Sequence, residues 1–126
     1  MLKALPLALA AALFAGPANA AQPLVATVDL ANFRFTPSQL QLRANTPTVL
    51  QLRNTSSGGH NFSAPAFFAA ARLDAASTRL VRRGKVEIPG RSTVQLSLIP
   101  TAGQYPLKCT HTLHSAFGMN GTIIVR

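Results

Sequence analysis

The chain has 126 residues, with 12 Lys and Arg against 3 acidic residues and a formal net charge of +9. With an N-terminal leader set aside, about 106 residues remain, enough for one domain with a single core and too few for two. The positive residues are scattered, and only Arg79, Arg82, Arg83 and Lys85 stand close together, as on a solvated loop. The charge therefore favours acidic partners, whether proteins, anionic lipid or nucleic acid, and its scatter leaves nucleic acid poorly supported.

The leader comes first in chain order. MLKALPLALAAALFAGPANA has a basic start at Lys3, an apolar run from Ala4 to Ala15 and a small-residue end at Ala18-Asn19-Ala20. That is the layout of a secretory signal, and the apolar run is too short to span a bilayer. Residues 1–20 are read as a signal peptide cleaved near Ala20, and 21–126 as the mature domain. An exported, soluble protein of a bacterial periplasm is expected, with no stable membrane insertion.

From Leu24 onward the dominant period is two. Leu24–Leu30, Gln39–Arg43, Thr48–Asn54, Lys85–Ile88, Thr93–Ile99, Gln104–Lys108 and Gly121–Val125 each read as a short strand, most of them bounded by Pro, Gly, Asn or Ser. Seven or eight strands in so short a chain predict an all-β fold, a Greek-key β-sandwich or barrel. One segment differs. APAFFAAARLDAAS, Ala64 to Ser77, is Ala-rich with Pro65 suited to a first helical turn. It predicts one short inserted helix, with Phe67 and Phe68 as lid or core residues.

The chemistry concentrates near the C-terminus, in KCTHTLHSAFGMNGTIIV. Cys109 is the sole cysteine, so it forms no internal disulfide, and an exposed free thiol in an oxidising compartment invites damage. It is either buried and inert or claimed by a ligand. Gln104–Lys108 would be a strand ending at Cys109, and the next strand starts just past Met119. The loop between them, Thr110 to Gly118, is long enough to aim Cys109, His114 and Met119 at one centre. His60, in SSGGHNF, follows the strand Thr48–Asn54 and a Ser-Gly run read as flexible, so it also sits at a sandwich end and supplies a fourth group. A thiolate, two imidazoles and a thioether form a soft donor set that suits copper. Zinc gains little from the thioether, and calcium and magnesium require oxygen.

These motifs resemble the cupredoxin family of small blue-copper proteins, which includes plastocyanin, azurin and pseudoazurin. The similarity runs from FRFTPSQLQLRANTPTVLQLRN through GGHNF to CTHTLHSAFGMNGTIIV, and Cys-x4-His-x4-Met-x-Gly before an apolar strand is its most specific part. The resemblance implies one mononuclear type 1 copper, with His60, Cys109 and His114 as equatorial ligands and Met119 as the axial one. It also implies that Asn61 braces the two ligand loops near the cysteine sulfur. Four departures stand out, one of them the inserted helix, which not every member shares. Leu113 occupies a place where the family often has Gly or Pro, and Asn45 stands where a Gly often sits in a turn. His111, two residues after Cys109, either faces solvent or competes as a ligand.

No acid/base pair or Ser-His-Asp set supports hydrolysis, and Asp29, Asp74 and Glu87 lie far from the cluster in sequence. An enzyme is not expected. The leading expectation is a one-electron carrier. Its electrons would leave by the His114 edge among Leu113, Ala116 and Phe117, toward an acidic redox protein such as a cytochrome or a copper or haem oxidoreductase. The rival expectation is a copper-binding carrier that delivers or sequesters metal, favoured by the extra His111 and the Ser56-Ser57-Gly58-Gly59 run. A monomer is expected.

Overall fold

The computed structural model describes residues 2–6, 22–111, 114 and 117–126. Apart from residues 2–6, the expected leader lies outside the described residues. Ten strands, among the described residues, form two five-stranded sheets. One sheet holds, in spatial order, β2 (Arg34–Thr36), β1 (Leu24–Ala31), β4 (Thr48–Asn54), β8 (Thr93–Ile99) and β6 (Arg72–Leu73). The other holds β3 (Gln39–Leu42), β10 (Asn120–Val125), β9 (Gly103–Lys108), β5 (His60–Ser63) and β7 (Lys85–Ile88).

The period-two segments fold as strands because alternate residues enter one shared core. β4 buries Thr48, Leu50, Leu52 and Asn54, β8 buries Leu96 and Leu98, and β3 buries Leu40 and Leu42. Phe35, Phe62, Leu107 and Ile123 complete the space between the sheets. Each fully buried Leu, Ile or Phe stabilises the fold by about 1.5–3 kcal/mol. The strands beyond the expected seven are β2, β5 and β6. Of these, β2 and β6, three and two residues long, are too short for a period to be read, and β5 is buried at every position.

The expected single helix is two: α1 (Pro65–Ala70) and α2 (Ala75–Leu80), with β6 between them. The backbone turns extended at Ala71, which ends α1. Asp74 then caps α2, its carboxylate accepting from Ser77 N at 2.8 Å. Buried Ser77 accepts from Ser97 N at 2.8 Å and so docks α2 on β8. Phe67 and Phe68 are core residues, packed edge-on against Tyr105 and Phe62. The basic run ends in a tight turn rather than a loop, with Arg82 and Lys85 exchanging backbone bonds around Arg83 and Gly84, both at positive φ. Asn45 also adopts a left-handed backbone, φ 56°, which Asn tolerates.

Among the described elements, only the β1–β2 and β9–β10 connections stay within one sheet, and every other connection crosses the sandwich. β9 and β10 pair antiparallel from Asn120↔Lys108 to Val125↔Gly103. Their connection, Cys109 to Met119, therefore projects from one end of the sandwich. β4 ends and β5 begins at that same end.

Candidate metal centre

Two segments meet at this end. The first is the β4–β5 loop. Asn54, 2 % exposed, donates from Nδ2 to the carbonyls of Gly58 and Ile88, both at 2.9 Å, and its Oδ1 accepts from Ser56 N at 3.0 Å. Ser56 O accepts from Arg91 N at 2.9 Å. A side chain at Gly90 would collide with the Ser57 carbonyl, so the two loops touch backbone to backbone. The Ser-Gly run read as flexible is thus tied on both sides, and it delivers His60 into the first position of β5.

The second segment is the β9–β10 loop. Cys109 N donates to Met119 O at 3.1 Å, Met119 N donates to His114 O at 3.0 Å, and His114 N donates to His111 O at 3.0 Å. Gly118 turns the chain at φ 93° just before Met119. These bonds draw the sequence-distant ends of the loop together and turn His114 inward.

The result is a compact donor cluster. His60 Nδ1 and His114 Nδ1 lie 3.1 Å apart, with Cys109 Sγ 3.3 Å from the His114 nitrogen and 4.0 Å from the His60 nitrogen. Bonds of ~2.0 Å to nitrogen and ~2.3 Å to sulfur in a trigonal plane require donor separations of roughly 3.5–3.8 Å, and the three edges straddle that range. Among the described residues these three form the one group of His, Cys and acidic side chains close enough to hold an ion. Cys109 and Met119 are fully buried and His60 nearly so. His114 is half-buried and opens onto a surface groove lined also by Phe33, Gly59 and His111. Burial first, and then the neighbouring rings, hold the pKa values of His60 and His114 below the ordinary 6.5. Both imidazoles are therefore kept neutral, with lone pairs available to a metal.

Asn61 joins the two segments. Its backbone N–H donates to Cys109 Sγ at 3.4 Å, its Oδ1 accepts from Thr110 N at 2.8 Å and its Nδ2 donates to Thr110 Oγ1 at 2.7 Å. A donor aimed at the sulfur disperses charge on a thiolate and holds it in place.

His111 stands outside the cluster. Its ring stacks 6.4 Å from that of His60, and its Nε2 lies 2.8 Å from Glu87 Oε2. Glu87 is far from the cluster in sequence, yet β7 pairs with β5 so that Glu87 faces Asn61. Burial alone would raise the Glu87 carboxyl. Hydrogen bonds from Asn61 and His111, with the charges of His111 and Lys85, outweigh it and bring the group below its ordinary value.

Phe33 was not expected at the site. It sits in the β1–β2 turn at φ 60°, uncommon for a bulky residue, and its ring meets His114 edge-on at 5.0 Å and Phe117 at 5.5 Å. Phe33 and Phe117 are both exposed. Leu113 and Ala116, expected beside them, lie outside the described residues. Only the Asn32-Phe33 dipeptide between two short strands hints at the turn in the sequence.

A family model described as a cupredoxin-like domain matches residues 4–125. Auracyanin A, described as a "blue" copper protein from the green thermophilic photosynthetic bacterium Chloroflexus aurantiacus, superposes with a TM-score of 0.59 at 17% identity, covering 83% of this chain and 100% of that one. Auracyanin B superposes with a TM-score of 0.58 at 21% identity, covering 86% and 93%. Dithionite-reduced auracyanin from the photosynthetic bacterium Roseiflexus castenholzii gives 0.59 at 16% identity, covering 85% and 99%. At these identities the likeness is one of fold. No curated protein matches the sequence. With the family match running along nearly the whole length, and the two-sheet architecture agreeing with it, the chain belongs to the cupredoxin-like family.

Proposed function

We propose that this protein is an exported one-electron carrier, not an enzyme, built around a single copper held by His60, Cys109, His114 and Met119. The observation that carries the reading is the buried thiol of Cys109 within 3.3–4.0 Å of two imidazole nitrogens that lie 3.1 Å from each other. Bound copper supplies one-electron chemistry by alternating between Cu(I) and Cu(II). The imidazoles of His60 and His114 and the thiolate of Cys109 would hold the copper, and Met119, buried and tied through its backbone to Cys109 and His114, would offer its thioether as a further soft donor.

The surrounding residues keep the donors still. Asn61 steadies the sulfur, Asn54 fixes the loop that carries His60, and the closed Cys109–Met119 loop fixes the other three donors. Little then has to move when the charge changes, which favours fast transfer. Phe33 and Phe117 flank the partly exposed His114 with apolar surface, and the chain's net charge of +9 suits brief docking on an acidic redox protein such as a cytochrome or a copper or haem oxidoreductase. Residues 1–20 act as a signal peptide cleaved near Ala20, the mature domain works in the periplasm, and it does so as a monomer. A delivery or sequestration role draws less support, because His111 and the Ser-Gly run that would make the site exchangeable are engaged by Glu87 and Asn54.

The test is a visible absorption spectrum of the mature chain during titration with Cu(II). An intense blue or green band saturating at one copper per chain is expected. Only the faint colour of ordinary Cu(II), or no saturable binding, overturns the reading.

A further inference from the structure

Resting on the copper reading above, we infer that Glu87 is a positioning residue whose carboxylate holds His111 out of the donor set. The problem it solves is local to this sequence. His111 and His114 both follow Cys109 closely, and the His111 ring lies 5.4 Å from that of His114 and 6.4 Å from that of His60. A soft, nitrogen-seeking ion entering the groove meets three imidazoles where an equatorial plane takes two. A mixture of coordination modes follows unless one ring is restrained.

Glu87 is built to supply that restraint. It stands opposite Asn61 in the β5–β7 ladder, which fixes its backbone to the segment carrying His60. Its two oxygens serve different partners: Oε1 accepts from Asn61 Nδ2 at 3.0 Å, and Oε2 meets His111 Nε2 at 2.8 Å. Both partners donate, and a carboxylate offers acceptors only. The glutamate thus spans from the segment of one ligand to the loop of the others. Its side chain is 60 % exposed, so it adds little to the fold, where an exposed pair is weak. Asn61 does not depend on it, because two further bonds to Thr110 hold that amide. Loss of the carboxylate therefore frees His111 above all.

That separation makes the inference testable by rescue. Cu(II)-loaded wild type, Glu87→Ala, Glu87→Gln, His111→Ala and the Glu87→Ala/His111→Ala double variant are compared by visible absorption and electron paramagnetic resonance. Wild type and His111→Ala should each give one matching species. Glu87→Ala should show a second species with altered charge-transfer bands and hyperfine splitting, Glu87→Gln less of it, and the double variant should return to the wild-type spectrum. A Glu87→Ala spectrum identical to wild type overturns the inference, as does an altered spectrum that the second substitution fails to restore. The contact is also read without metal. In 15N-labelled apo-protein, His111 should hold a slowly exchanging Nε2–H that is lost in Glu87→Ala. A rapidly exchanging Nε2–H in wild type refutes the restraint whatever the copper result, whereas a wild type that gives no intense band refutes the copper reading alone.

Discussion

The two ends of the sandwich close their connections in different ways. At the end away from the donors the work is done largely by the main chain: Leu24 N to Pro47 O, Asn45 N to Pro100 O and Ala44 N to Arg126 O, at 2.8–3.0 Å. Thr46 and Thr48 add bonds to carbonyls two residues away. At the donor end side chains reach across the sequence, Asn54 to a carbonyl 34 residues on, Asn61 to a residue 26 away and to another 49 away, and Glu87 to one 24 away. A turn tied by its own backbone needs no special residues. A turn that must leave a thiol and two imidazoles facing inward has to be held from behind, by side chains of polar neighbours, and those neighbours carry the specificity of the site.

The contrast is sharpest where a donor itself is removed. Cys109→Ser should abolish the intense band completely while leaving the apo-fold intact, read by absorption and circular dichroism; a retained band would mean the sulfur is not a ligand. Next in size, Asn54→Ala or Asn61→Ala should lower stability in denaturant by about 1–3 kcal/mol, because the first strands the buried Ile88 carbonyl and the second removes three side-chain bonds, two of which join the donor segments. Smaller is a pH effect confined to the donor end. The pKa values of His60 and His114 are lowered in the folded chain from 6.5, so the unfolded chain takes up protons first as pH falls. Stability of the apo-protein is full above about pH 6.5 and declines as pH drops through the folded values, and a flat melting temperature between pH 7.5 and 5 would refute this. Smallest is Thr46→Val at the far end, expected to cost about 0.5–1.5 kcal/mol and to leave the copper spectrum unchanged. A comparable loss there and at Asn61 would erase the distinction between the two ends.

The same contrast explains what could be read from residues in order. Strands such as β3, β4 and β8 were legible because each buries alternate residues, and the spacing of Cys109, His114 and Met119 was legible because a hairpin loop is a local object. Asn61 was visible only through the family motif. Glu87 and Phe33 were not legible. Their roles depend on register and on a turn folding back, since Glu87 meets Asn61 only once β7 lies beside β5, and Phe33 reaches His114 only through two left-handed residues. The split of the helical segment had a signal that went unused, for Asp74 is a residue favoured as an N-cap.

The position of His60 has one more consequence. Cys109, His114 and Met119 belong to one short stretch, but His60 lies 49 residues before Cys109, on the far side of the long excursion through α1, α2, β7 and β8. A chain with one cysteine has no internal disulfide to clasp those distant parts. On the reading proposed above, a filled centre would do the clasping: held by His60 and Cys109 together, it would close a loop of about fifty residues in the folded chain and act as a removable crosslink. Loading the metal and resisting unfolding are then a single event, and stripping it should leave a domain that melts earlier and is cut sooner by proteases.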